Sequence, residues 1–552
     1  MKQNPPSSSS FIPHPSPFQF EAYQFPSRRS NIIARNGLVA TSQPLAAQAG
    51  LEALRAGGNA VDAAIATVAT LCVVEPTSTG IGGDAFALIW MADEGKLYGL
   101  NASGSAPMAL TADLVRSQGH TAFPALGALP VTVPGALRGW QLALERFGTM
   151  RLDTLLARPI HYARDGFALS QRIARAWGRS KEKMSAHPDS RRVWVPSGQT
   201  PRAGEIFRNP EFATTLQTLA ERGYDAFYQG DIARQIAQCV QDAGGVLTEG
   251  DLANYRAEWV QPISVPYKNG WVFHEIPPNG QGLTALLALN IAQGFDLQAL
   301  GYGTADYYHA LVEAIKLAFA DAQMYIADPR QADIPLVGLL SEGYTQQRRG
   351  LVDMARAQAP QPGQPQQHGD TVYLTVADEH GNMVSWIQSL YMGFGSGLTA
   401  GTTGVQLQNR GANFSLELGH LNEAAPGKRP YHTIIPGFIT QNGQAWSSFG
   451  VMGGFMQPQG HLQVGLNMVE FGMDPQTALD APRFNWLKEL EVAVETAVPH
   501  PITAELARRG HQLHANPASV HYGGGQAIVR DAQTGVLIGG SEPRNDGTAV
   551  GW

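Results

Sequence analysis

The chain has 552 residues, of which 43% are hydrophobic and only 15% charged, with 61 glycines and 36 prolines. That is enough apolar material for a sizeable core with many tight turns, which argues against a helical scaffold or a disordered chain. A net charge of −7 and a pI near 6.1 offer no basic face, so no nucleic-acid partner is expected.

In chain order, residues 1–26 read as a Ser/Pro-rich disordered tail without the apolar run of a secretion signal. No 18-residue apolar span follows, so the protein is expected to be soluble and cytoplasmic, with no membrane partner. Order is expected from about Ser27. Pro44–Ala56 has helical spacing with proline in its first turn, and Gly57-Gly58-Asn59 supplies residues suited to a left-handed cap. Ala60–Val74 is apolar nearly throughout, the pattern of a helix buried on most sides. The run TSTGIGGDAFALIW (77–90) reads as a glycine turn feeding a strand; its spacing is not that of a nucleotide loop. Residues 130–330 alternate helix-like and short strand-like stretches without a repeat. The two cysteines, Cys72 and Cys239, sit in apolar surroundings and read as small core residues. No paired Cys/His spacing occurs, and His511 and His514 form an isolated pair, so neither a metal nor a cofactor is expected.

Residues 357–369, AQAPQPGQPQQHG, hold three prolines and five glutamines with almost no apolar content, the composition of an exposed flexible loop or a plain linker. The next run, DTVYLTVADEHGNMVSWIQSLY, alternates as two half-buried strands, 371–378 and 382–390. Glu379-His380-Gly381 fits a three-residue hairpin loop closed by a left-handed glycine. Residue 378 then pairs with 382, and Thr371 faces Ser389. A two-residue loop would put Leu390 there instead.

A threonine hydroxyl is a poor nucleophile unless a base lies within hydrogen-bond reach, and the α-amine of the same residue is such a base. With a reference pKa near 7.7–8.0 it is partly neutral at cellular pH. Thr371 gains that amine only if the bond after Asp370 is broken. A strand-initial threonine behind a flexible loop is a place where the chain can be cut without unravelling a sheet.

The stretches VATSQPLAAQAGLEALRAGGNAVDAAIA, VVEPTSTGIGGDAFAL, LTEGDLANY, DTVYLTVADEHGNMVS, FGSGL, KRPYHTIIP, MGGFMQ, APRF and SEPRNDGTAVGW occur in the order found in γ-glutamyltranspeptidases. From about residue 35 onward the chain resembles that family. The resemblance implies a four-layer αββα sandwich of the N-terminal-nucleophile hydrolase type, an α/β (α+β) fold. It also implies self-cleavage between Asp370 and Thr371 into a large chain ending at 370 and a small chain 371–552, which together form one domain. Thr371 is implied as nucleophile, Ser389 as the hydroxyl that bonds it, and Gly453-Gly454 as the oxyanion hole; read without the family, that glycine pair is a turn.

The resemblance also marks departures. Ser103 stands where the transpeptidases have an arginine for the substrate α-carboxylate, and no arginine lies nearby in the sequence. Asn413 replaces the acidic residue that holds the α-amine. His432 and Thr433 replace paired serines, and Tyr391 an asparagine. The segment between Phe414 and Lys428 is shorter than in lidded members, implying a more open cleft. These features resemble the transpeptidase-like amidohydrolases, which include cephalosporin or glutaryl acylases and the oxamate amidohydrolase of purine breakdown. The expected substrate is a small amide bearing one carboxylate, with Arg410 as its anchor; a surface ion pair is the alternative for that arginine. An authentic γ-glutamyl hydrolase or transferase with a rebuilt pocket is the second reading, and a non-catalytic relative the third.

Overall fold

A computed structural model describes residues 24, 25, 27, 29–360, 370–515 and 522–552. The tail expected over 1–26 thus lies almost wholly outside the described residues, as does 361–369 of the Pro/Gln-rich segment. The first residues of that segment are packed rather than loose: Ala357 is buried and donates its N–H to the Arg509 carbonyl at 2.8 Å. The Gln358 carbonyl accepts from Lys316 Nζ at 2.7 Å. Composition concealed this, because the partners are supplied by distant elements.

Two seven-stranded antiparallel sheets stack face to face. One runs in the order Thr548–Gly551, Gly37–Thr41, Asp370–Asp378, Met383–Tyr391, Asp84–Met91, Lys96–Ala102 and Glu258–Val260. The other runs Ile32–Ala34, Leu537–Ser541, Gly524–Arg530, Gln444–Met452, Gly437–Gln441, Trp271–Glu275 and Ile263–Pro266. The helices Pro44–Arg55 and Ala60–Val74 cover the outside of the first sheet, and Gly282–Ala292, Ala305–Tyr325 and Met456–Val469 cover the second. The result is a four-layer αββα sandwich, in which every residue of Ala60–Val74 is buried.

The two-residue period of a strand decides what each side chain meets. Along Asp370–Asp378, Val372, Leu374 and Val376 join the core under the helices, while Tyr373 and Ala377 join the core between the sheets. Thr371 shares the inter-sheet parity. The hairpin that closes this strand has the expected three-residue loop. Gly381 has φ +86°, and Asp378 exchanges backbone bonds with Asn382 and Gly381 at 3.1 Å each. The Asp378 carboxylate also caps the helix Ala60–Val74 by accepting from the Ala60 N–H at 2.9 Å, which ties the hairpin to the layer above it.

Candidate active site

From Ala377 back to Val372 the hairpin holds a single register, with Val372 opposite Gln388; it then shifts, so that Asp370 pairs with Tyr391. Ser389 and Leu390 together therefore oppose Thr371 alone, which is a β-bulge. The two registers allowed by the sequence both occur, one on each side of the bulge. Leu390 turns its backbone away, donating to the Ser78 carbonyl at 3.1 Å and accepting from the Asn409 N–H at 3.3 Å. Ser389 turns inward: its Oγ lies 3.3 Å from the Thr371 hydroxyl and accepts the Tyr391 N–H at 2.7 Å. Both side chains are buried.

Two contacts fix what faces this strand across the sandwich. The Tyr373 ring lies so close to Gly450 that a Cβ there would fall 2.5 Å from it, and Thr375 Oγ1 is 2.5 Å from Ser448 Oγ. Both pairs obey one antiparallel relation. Carried two residues further, it sets Thr371 across from Met452, the residue before Gly453. Gly453 and Gly454 have φ of +135° and +61°, backbone that only glycine adopts without strain. Among the described residues, no acceptor takes either N–H. The Gly454 carbonyl is held by Gln281 Nε2 at 2.8 Å, and the same amide donates to the Thr433 carbonyl. Gln281 thus bolts the glycine turn to the Thr433 segment beside Arg410, a connection with no sequence signal beyond a polar residue in PPNGQG.

Arg410 is buried completely. Its Nη1 donates to Thr433 Oγ1 at 2.7 Å, and its guanidinium lies 4.4 Å from the centroid of the Tyr391 ring. Nε and Nη2 have no partner among the described residues. Burial brings this guanidinium down to about 10, opposed by the charge of Asp84. Tyr391 also lines a cleft of about 880 Å³, together with Asn413, Phe414, Met324, Tyr431 and Phe455. Leu416, Glu417 and His420, from the short segment after Phe414, rim it.

A family model described as γ-glutamyltranspeptidase matches residues 46–552. The chain belongs to the γ-glutamyltranspeptidase family. It is 37% identical over 527 residues to the "Glutathione hydrolase-like YwrD proenzyme" of Bacillus subtilis, spanning 94% of this chain and 99% of that protein. The oxamate amidohydrolase proenzyme of Klebsiella pneumoniae is 35% identical over 538 residues, 95% of this chain and all of that one. A cephalosporin acylase structure from Bacillus halodurans shares 48% identity with a TM-score of 0.91, covering 97% of this chain and 99% of that one. The protein is therefore an amide-cleaving hydrolase of the γ-glutamyltranspeptidase family, and its sandwich is that of the N-terminal-nucleophile hydrolases.

The positions at which the sequence departs from the transpeptidase pattern fall in two groups. Tyr391 and Asn413 line the cleft, and the buried Arg410 packs against Tyr391 and bonds Thr433. Ser103 and His432 are engaged elsewhere. The Ser103 hydroxyl donates to Asn101 Oδ1 at 2.7 Å, in a network with Asn279. An arginine does reach it in space: Arg429 Nε donates to the Ser103 carbonyl at 3.1 Å, but that guanidinium is paired with Glu258. His432 Nε2 lies 3.0 Å from Asp84 Oδ2, and the ring packs edge-on against Phe86. Burial, with Arg410 and Arg429 nearby, holds His432 well below the usual imidazole range, while burial raises Asp84 to about 6. The imidazole is therefore neutral and already bonded. Asp84, which also accepts from the Gly104 N–H and Gln408 Nε2, is the buried charge that the sequence reading missed.

His511 is not isolated. It is buried, with Nε2 2.8 Å from His309 Nδ1 and 3.9 Å from the Glu313 carboxylate. His309, Glu313 and His511 have the donor set of a candidate metal site, against the sequence expectation, and the Lys316 ammonium lies 2.5 Å from Glu313. Cys72 and Cys239 are buried and unpaired, both thiols pushed up to about 12 by burial. Among the described residues, no helix is long and apolar enough to cross a membrane.

Proposed function

We propose that this chain cuts itself between Asp370 and Thr371 and then hydrolyses amides whose acyl part carries a single carboxylate. The observation that carries the reading is the bulge, which brings a buried strand-initial hydroxyl to 3.3 Å from Ser389. In self-cleavage, Thr371 Oγ adds to the Asp370 carbonyl carbon and the C–N bond breaks, leaving an ester and a free amine. Water then cleaves the ester, giving Asp370 a carboxylate and restoring the hydroxyl. The two resulting chains each supply strands to both sheets and stay together as one domain.

In turnover, the Thr371 amine takes the hydroxyl proton as Oγ attacks the substrate carbonyl, and the Gly453 and Gly454 N–H groups receive the oxyanion. One such donor supplies about 3 kcal/mol in comparable sites. The tetrahedral carbon then breaks its C–N bond as the Thr371 ammonium returns the proton to the leaving amine, and water hydrolyses the acyl ester, freeing the acid and restoring the hydroxyl. Arg410, with two unpartnered nitrogens, holds the carboxylate, with Thr433 fixing the guanidinium and Asn413 beside it. Asn413 offers an α-ammonium no carboxylate, and the cleft's Glu417 lies at its rim, so a glutaryl-type amide suits the floor better than a γ-glutamyl one. A cleft of about 880 Å³ also accommodates far more than oxamate.

N-terminal sequencing of the purified protein is expected to give a chain beginning at Thr371, and Thr371→Ala a single uncut, inactive chain. On the processed enzyme, kcat/KM should rank glutaryl-p-nitroanilide above γ-glutamyl-p-nitroanilide, with oxamate as the small-substrate comparison. A wide margin for the γ-glutamyl compound would transfer the assignment to γ-glutamyl hydrolysis or transfer.

A further inference from the structure

Arg410 raises a question of access. A buried guanidinium with two nitrogens unpartnered carries a large desolvation cost and is matched to an anion. Yet it is 0% exposed and does not itself line the cleft, whereas Tyr391, whose ring centroid lies 4.4 Å from the guanidinium, does. As placed, Tyr391 shuts the anion site.

Tyr391 is held there against its backbone preference. Its φ is +79°, a region that bulky residues enter only when their surroundings impose it. Its phenol bonds Asn413, and its backbone has two restraints that belong to the cleavage apparatus. The Tyr391 N–H donates to Ser389 Oγ, the same hydroxyl that faces Thr371. Across the ladder Tyr391 pairs with Asp370, the residue on the far side of the bond to be cut. Cleavage removes Asp370 from the strand and places a new amine beside Ser389, so both restraints change in the same event.

We propose that Tyr391 is a specificity gate whose position reports the state of the 370–371 bond. It closes Arg410 in the intact precursor and is released by cleavage, so that carboxylate recognition arises only in the processed enzyme. This rests on the reading of Arg410 as the carboxylate anchor. The gate keeps an exposed cationic pocket from filling with cellular carboxylates before the nucleophile exists.

The test is calorimetric titration with glutarate of four proteins: processed wild type, the uncut Thr371→Ala precursor, and that precursor carrying Tyr391→Gly or Tyr391→Phe. Glycine tolerates φ +79° and removes the ring, whereas phenylalanine keeps it. Glutarate should bind the processed enzyme at least tenfold more tightly than the precursor. Tyr391→Gly should restore binding to within about threefold of the processed enzyme, and Tyr391→Phe should leave it weak. A precursor that binds as tightly as the processed enzyme overturns the gate while leaving Arg410 as anchor. So does a folded Tyr391→Gly precursor, checked by circular dichroism, that gains nothing. No binding to the processed enzyme overturns the anchor and the gate with it.

Discussion

Replacing Ser389 by alanine separates two jobs that the structure gives one hydroxyl. The first is orientation of Thr371. At 3.3 Å, a neutral hydroxyl pair of this kind contributes about 0.5–1.5 kcal/mol net, a change of roughly two- to twelvefold in rate if it is felt in full at the transition state. The second job is structural: Ser389 Oγ accepts the Tyr391 N–H at 2.7 Å in a buried site. Its loss orphans that donor, at a cost of about 1–3 kcal/mol in stability. The variant should therefore mature several-fold more slowly and unfold at lower urea. Conversion of precursor to two chains is followed by denaturing gel over time, and unfolding by tryptophan fluorescence. Because the two effects come from different lone pairs, Ser389→Thr, which keeps the hydroxyl, should mature faster than Ser389→Ala even if its extra methyl lowers stability. An alanine variant that matures at the wild-type rate would show that the bulge does not serve the nucleophile.

Other perturbations test the surroundings. Gly453→Ala asks a non-glycine residue to hold φ +135°, a strain of about 1–3 kcal/mol. If the turn shifts to relieve it, kcat should fall by about 10² or more through a displaced oxyanion donor, with KM less affected. Gln281→Met keeps the side-chain volume but leaves the Thr433 and Gly454 carbonyls without their shared donor; it should lower stability by about 1–3 kcal/mol and kcat more than KM. Burial, with Lys316, His309 and Arg509 around it, lowers His511 from 6.5 to about 3. A base lowered in the native state binds fewer protons folded than unfolded. Its contribution is thus full above pH 6.5 and is lost as pH falls towards 3, by at most about 1.4 kcal/mol per unit. His511→Gln should flatten that part of a urea-midpoint against pH curve, and an unchanged slope would remove His511 as its source.

How far the sequence could be read depended on the distance between partners along the chain. The hairpin was legible because Asp378, Gly381 and Asn382 are neighbours, and turn chemistry carries the register back to Thr371 seven residues away. The buried helix Ala60–Val74 was legible because its apolar content leaves no face for water. Site residues that come together from far apart were not. Arg429 reaches Ser103 across more than three hundred residues, His309 meets His511 across two hundred, and Asp84 receives His432 from the far end of the chain. Each is an ordinary polar residue in its own segment, and only the tertiary fold gives it a partner.

The bulge lies between these cases and shows what local arithmetic omits. Counting from the turn gave two registers, Ser389 or Leu390 opposite Thr371, and both are realised because the ladder slips by one residue at that point. A regular ladder could not turn Ser389 towards Thr371 and also free Leu390 to bond Ser78 and Asn409. The slip does both, and it also brings Asp370 opposite Tyr391, coupling the bond to be cut to the residue that covers Arg410. On the proposed reading, the same irregularity aligns the nucleophile and links its exposure to carboxylate binding. This predicts that Leu390, though it touches no reacting atom, is sensitive to backbone change. Leu390→Pro removes the N–H that bonds the Ser78 carbonyl at 3.1 Å and should abolish maturation, whereas Leu390→Met, which keeps it, should mature normally. Maturation of the proline variant at the wild-type rate would mean that the bulge is incidental to the chemistry.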